Sequence, residues 1–164
     1  MTNRQTAVLV TVAVVAGATL AGVGLATRGS SKSRPVLKID EQRGLVGRVA
    51  LHETVTNVYG VLGHSRVVDL GPGGDALLYP HLRIGLKNGK VVSIETDQQG
   101  AETDKVLRVG DPLSAARALY RKSSHCIPSS DTTTAPNPHC TITVPSGRLV
   151  IKGDPIASIA LVAR

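Results

Sequence analysis

Cys126 and Cys140 are the only cysteines of this chain, and each follows a histidine. The pairs His125-Cys126 and His139-Cys140 flank a polar, proline-bearing stretch. Joined as a disulfide, the two cysteines close a loop of about 15 residues, worth ~3 kcal/mol in the chain-entropy account, and they imply an oxidising compartment. Used with their histidines, they would instead hold a metal ion. Sequence neighbours in a strand point to opposite faces, so both members of a His-Cys pair can hardly reach one ion. The spacing is also not the C-x-x-C form of structural zinc ligands. Two free thiols are the third alternative. The disulfide is the expectation, with no metal and no cofactor.

The remaining candidates for chemistry read as structural. His52, His64 and His81 fall beside a helix start, a helix end and a strand, and His64 suits a helix C-terminus when protonated. No G-x-S-x-G elbow is present. Gly71-Pro72-Gly73-Gly74-Asp75 lacks the Lys-Ser/Thr of a phosphate cradle and reads as a turn. Glu95, Asp97, Glu102 and Asp104 read as a solvated linker, because a catalytic carboxylate pair needs one desolvated partner. The chain reads as non-enzymatic, with a small secreted hydrolase built from unlinked residues as one alternative.

A basic stripe is the binding candidate. Arg83 and Lys87, with Arg148 and Lys152, alternate with apolar residues and so belong to the face of a sheet that no helix covers. With Tyr79 and His81 they make a docking surface for a protein or an anionic envelope component; an ordinary wet sheet face is the competing reading. With three Tyr, no Phe and no Trp, the chain offers almost no stacking platform for bases, which argues against nucleic-acid partners. The net charge is +7. Of 19 basic residues, 18 follow Arg4 against 12 acidic ones, and four of them (Arg28, Lys32, Arg34 and Lys38) sit in a linker.

Residues 7–26 carry nothing more polar than Thr11 and Thr19, a length that spans a ~30 Å hydrocarbon core as one helix. They read as a signal anchor, or as a signal peptide cleaved near Ala26. Basic residues behind the span favour a cytoplasmic domain, hence a cytoplasm-facing anchored regulator as a further alternative. The cysteines favour export. The expected location is the cell membrane, single-pass, with the C-terminal domain extracytoplasmic, or secreted if the segment is cleaved. The divisions are 1–27 for the anchor or signal peptide, 28–44 for a linker, and 45–164 for the folded domain.

That domain repeats. In the first copy Thr54 is an N-cap, residues 55–62 form one amphipathic turn pair, and Gly63 closes them. A shift of 58 lays Leu51, Val55 and Leu62 over Val109, Leu113 and Tyr120, with Pro112 in place of the cap. A shift of 65 lays RIGLKNGKVVSIET over RLVIKGDPIASIAL, with Arg83, Lys87, Ser93 and Ile94 meeting identical residues. Asn88-Gly89 is a strong hairpin signal. The strands of the first copy are expected at 66–70, 76–86 and 91–96. The cysteines fall where the first two strands of a copy, near Val68 and Asp75, lie side by side. The expected fold is α+β, with two tandem helix-β-β-β repeats (45–97 and 106–164). One antiparallel sheet carries two short helices on one face, and one N-terminal transmembrane helix precedes it.

The pattern Leu51, Thr54, Val58, Leu62 and Gly63 resembles the helix signature of a bacterial extracytoplasmic family. That family joins outer-membrane assembly lipoproteins of the SmpA/OmlA (BamE) type with β-lactamase-inhibitory proteins. His52, Glu53 and Asn57 stand where its members often have Gly, Met and Glu. The second copy is similar to exported actinobacterial proteins of the same two-helix plan. The resemblance implies export and a membrane-anchored protein-interaction or envelope-binding role, and it carries no catalytic residue.

Overall fold

The computed structural model describes residues 36–71, 74–127 and 137–164. The readings made for residues 7–26, Ala26 and the first part of the linker lie outside these residues. Among the described residues no helix is long and apolar enough to cross a membrane.

The expected α+β fold with a single sheet is corrected. Strand accounts for 46% of the structure and helix for 14%, so the domain is mostly β, and its strands form two sheets. Three short strands, β1 (Lys38–Asp40), β2 (Leu45–Val46) and β3 (Val49–Ala50), precede the first helix, α1 (Val55–Leu62). Then come β4 (Arg66–Asp69), β5 (Asp75–Tyr79), β6 (Leu82–Lys87), β7 (Lys90–Thr96) and β8 (Glu102–Thr103). The second half follows as α2 (Leu113–Leu119), β9 (Ser124–Ile127), β10 (His139–Val144), β11 (Gly147–Lys152) and β12 (Ser158–Val162). The large sheet has the order β4-β5-β6-β7-β12-β11-β10-β9, and the small one the order β3-β2-β1-β8.

Two causes separate this from the expectation. The stretch 76–86 is not one strand, because Pro80 and His81 turn the chain, with Tyr79 opposite Leu82. Proline sets the second position of the turn and His81 takes φ 60° at the third, the order of a type II turn. Each half therefore has four strands rather than three. The small sheet is the second cause. β1 falls inside the stretch read as a linker and pairs in parallel with β8, 64 residues on, through Lys38↔Glu102 and Ile39↔Thr103.

The two halves meet where β7 and β12 run antiparallel, from Ile159↔Thr96 to Val162↔Ser93. Gly85 lies opposite Ser93 and Val150 opposite Ala160, so with β6 laid on β11, Ser93 is equivalent to Ala160. The last strand thus sits two residues along from the position that sequence identity suggests. The turns explain the slip. β6 and β7 are closed by Asn88 (φ 53°) and Gly89 (φ 70°), the paired positive φ of a type I′ turn. β11 and β12 are closed by the longer segment 153–157, between Lys152 and its partner Ser158.

That longer loop has work at the helix above it. α1 is capped locally, Thr54 Oγ1 accepting from Asn57 N at 3.4 Å, while α2 begins at Pro112 with no side-chain cap of its own. Asp154 accepts from Leu113 N at 3.0 Å, and Gly110 and Asp111 exchange backbone hydrogen bonds with Ile156. A residue 41 positions away supplies the cap.

Both helices face one aliphatic cluster on one side of the large sheet, including Val58, Leu77, Ile84, Ile94, Ala116, Leu149, Ile151 and Leu161. Tyr120 is the only tyrosine fully inside it, at 2% exposure. Its hydroxyl donates to Glu41 and lies 3.0 Å from Thr103 Oγ1. Lys105 Nζ stands 4.3 Å from its ring centroid. Glu102 and Thr103, within the stretch read as solvated linker, are thus part of the interior, while Asp104 is exposed. Glu102 and Thr103 are buried, Glu102 pairs with Lys38 and Arg108, and Asp104 accepts from Glu41 N at 2.8 Å. Burial pushes the Glu41 carboxyl above its ordinary pKa, and burial with the Glu41 contact pushes the Tyr120 hydroxyl up as well.

A raised pKa means that the folded state holds this proton more tightly than the unfolded chain does. The stabilisation is full below the ordinary carboxylate range and is lost as pH rises through the raised value. Denaturant unfolding across pH should show the native protein losing stability relative to Glu41→Gln as pH climbs through that window. A difference between the two that does not vary with pH would refute the assignment. Tyr120→Phe, which leaves the buried carboxylate without its donor, should cost about 1–3 kcal/mol.

The uncovered face of the eight-stranded sheet as a candidate binding surface

Strand alternation sorts the candidate residues onto two faces. In β6, Arg83 and Lys87 are exposed while Ile84 and Leu86 are buried. In β11, Arg148 and Lys152 are exposed while Leu149 and Ile151 are buried. These four cations share the face opposite the helices. The cross-strand registers set Lys152 level with position 81 and Arg148 level with Gly85, so the four span six residues along the strands and three strand steps across, a field of roughly 20 by 14 Å.

Cross-strand pairing runs one row over all eight strands: Arg66, Leu78, Arg83, Glu95, Ala160, Val150, Thr141 and His125. Glu95 occupies the middle of this row. Lys152 Nζ donates to its Oε1 at 2.7 Å and Ser158 Oγ does the same at 2.7 Å. Burial raises its pKa, but those two hydrogen bonds and the nearby Lys152 and Arg83 charges outweigh burial and hold the carboxyl below its ordinary value. Sequence reasoning had grouped Glu95 with a linker. Its alternation with Ile94 and Thr96 in the strand 91–96 was the signal that placed it on the outer face.

Of the six residues proposed for this surface, Arg83, Lys87, Arg148 and Lys152 lie on the uncovered face, His81 lies in a turn at its end, and Tyr79 lies on the other face. His81 sits in the β5–β6 turn with Nδ1 2.9 Å from Asp97 Oδ1. Lys87 lies opposite Lys90 at the far end of the hairpin, and Arg148 lies between Thr143 and Val162. Tyr79 is on the helix side, its hydroxyl donating to Gly63 O at 2.7 Å and so fastening the end of α1 to β5. Two shallow adjoining depressions of about 520 and 740 Å³ share Ala157 and Ser158. The first reaches His81, Arg83 and Glu95, the second Lys152 and His139.

The cysteines form a disulfide with Cys126 directly opposite Cys140 on β9 and β10. Cys140 is wholly buried with the core, and strand alternation puts the adjacent His139 and His125 on the other face. His139 Nδ1 is 2.9 Å from Asn137 O. Among the described residues no three His, Cys, Asp or Glu side chains converge as metal ligands. The equivalent pair in the first half is Asp69 opposite Asp75.

Reducing the disulfide, or replacing both cysteines with serine, should lower unfolding stability by about 3 kcal/mol. Equal stability with and without reductant would show that the bond constrains nothing. The chain matches no family model, no curated protein and no solved structure.

Proposed function

We propose that this chain is a non-enzymatic, membrane-attached, extracytoplasmic module that binds a protein or an anionic envelope component through the uncovered face of its large sheet. The observation that carries the reading is the charge of that face. Arg66, Arg83, Lys87, Arg148 and Lys152 stand against Glu95 and Asp97, and both acids are already engaged, by Lys152 and by His81. Clustered like charges facing water repel one another, and an anionic partner relieves that repulsion.

Three features support the setting. The disulfide Cys126–Cys140 belongs to an oxidising compartment. Residues 7–26 have the length and composition of a membrane anchor. The cap pattern around Thr54 and Gly63 resembles that of extracytoplasmic envelope proteins.

The test uses the full chain in detergent with polyglutamate as an anionic probe. Binding should weaken between ~0.05 and ~0.3 M salt as screening shortens, and Arg83→Glu combined with Arg148→Glu should lower affinity by about tenfold or more. Affinity unchanged in the double variant would remove the sheet face from the reading. A compartment-sensitive reporter fused after Arg164 should be active outside the cytoplasm; activity confined to the cytoplasm would overturn the location.

A further inference from the structure

The large sheet ends in two edge strands, and its halves finish them differently. β9 presents Ser124 and His125 and is bonded covalently to β10. β4 presents Val67 at 51% exposure and runs on into Leu70 at 46%, while Val61, in the last turn of α1, is 40% exposed. Two of the seven large apolar side chains left exposed among the described residues, Val67 and Leu70, thus lie on this edge strand or next to it, on opposite faces. Exposed apolar groups scattered singly need no explanation, but Val67 stands within a strand whose outer backbone is open. β4 pairs only with β5 among the described residues. Every second residue of such an edge turns its N–H and C=O away from the sheet.

We propose that β4 is a docking edge, which an extended peptide joins as a further antiparallel strand. The rest of the large sheet is antiparallel throughout, and the added strand continues that ladder. Main-chain hydrogen bonds supply affinity in this mode and the side chains opposite supply specificity. Arg66 and Asp69 bracket Val67 and Val68, and neither is in an ion pair among the described residues. The complementary strand carries an acidic residue opposite Arg66, an apolar one opposite Val67 and a basic one opposite Asp69. Read from its own N-terminus, that order is basic, any, apolar, acidic.

A second copy of β4 fits poorly. Arg66 and Asp69 are three residues apart and point to opposite faces of the strand. Two copies related by a two-fold axis normal to the sheet pair residues of one face only, so Arg66 never meets Asp69. A phosphate polymer or a lipid surface cannot continue the backbone ladder or use Val67.

The test uses the full chain in detergent and a labelled ten-residue peptide with Lys-Thr-Ile-Glu at its centre in an otherwise polar sequence. Fluorescence anisotropy reads binding, and amide hydrogen exchange locates it. Binding with protection of β4 amides is expected, weaker by about tenfold when proline replaces the peptide's isoleucine and several-fold when its Lys and Glu are exchanged. Val67→Lys should weaken binding about tenfold with an unchanged melting temperature, since the side chain is half exposed, and Val67→Thr should fall between the two. No binding at about 1 mM peptide, equal binding of the proline peptide, or protection confined to β9 or the outer face would each overturn the proposal. So would a concentration-dependent dimer of the protein that Val67→Lys abolishes, which would assign the edge to a second copy.

Discussion

The ladder between β7 and β12 is the contact on which this architecture rests. Each half is a four-stranded meander with a helix on one side, and each alone would leave a long inner strand as an open edge. Pairing those two strands puts Ile94 and Leu161 opposite each other inside the core and Glu95 opposite Ala160 outside it. The ladder therefore creates a continuous interior and a continuous outer row at once. A slip of one residue would exchange these two sets of side chains between core and water, so the register that buries Ile94 also determines which charges meet on the outer face.

Above that sheet the small sheet is held by polar contacts that cross long stretches of chain. Glu41 follows β1, Thr103 ends β8, and Tyr120 closes α2, yet their side chains meet in one buried group. Every member has a partner, and among the described residues no buried side-chain nitrogen or oxygen lacks one. A satisfied network of this kind gives direction to an interior otherwise made of interchangeable aliphatic groups. With so few aromatics, Tyr120 is the one large ring available to orient the packing of the small sheet.

What could be read from the residues alone was what nearby residues decide. The Thr54 cap, the Gly63 terminus and the Asn88-Gly89 turn depend on a few neighbours, and the cysteines were placed on adjacent strands by the internal repeat. The small sheet was not legible, because strands of two or three residues show no periodicity and β1 finds β8 only through tertiary pairing. The misplacement of Tyr79 has a single cause. In one unbroken strand 79, 81, 83 and 87 share a face. The turn at Pro80 and His81 breaks that parity and pairs Tyr79 with Leu82 on the core side. Proline inside a strand-like run was the available warning. The cap on α2 could not be seen locally at all, since Asp154 comes from a loop in the far hairpin.

The corresponding positions on β4 and β9 have opposite characters. In the second half Cys126 and Cys140 are joined by a bond; in the first, Asp69 faces Asp75 as two carboxylates of like charge. Like charges directly opposite weaken a strand pair, and a covalent link forbids the pair from separating. The two halves of one sheet thus have unequal resistance to local opening, and cooperative units that differ in this way open in order of their free energies. Fraying begins at the β4 end while the β9 end stays closed, so the molecule has a built-in direction of unfolding despite its internal duplication.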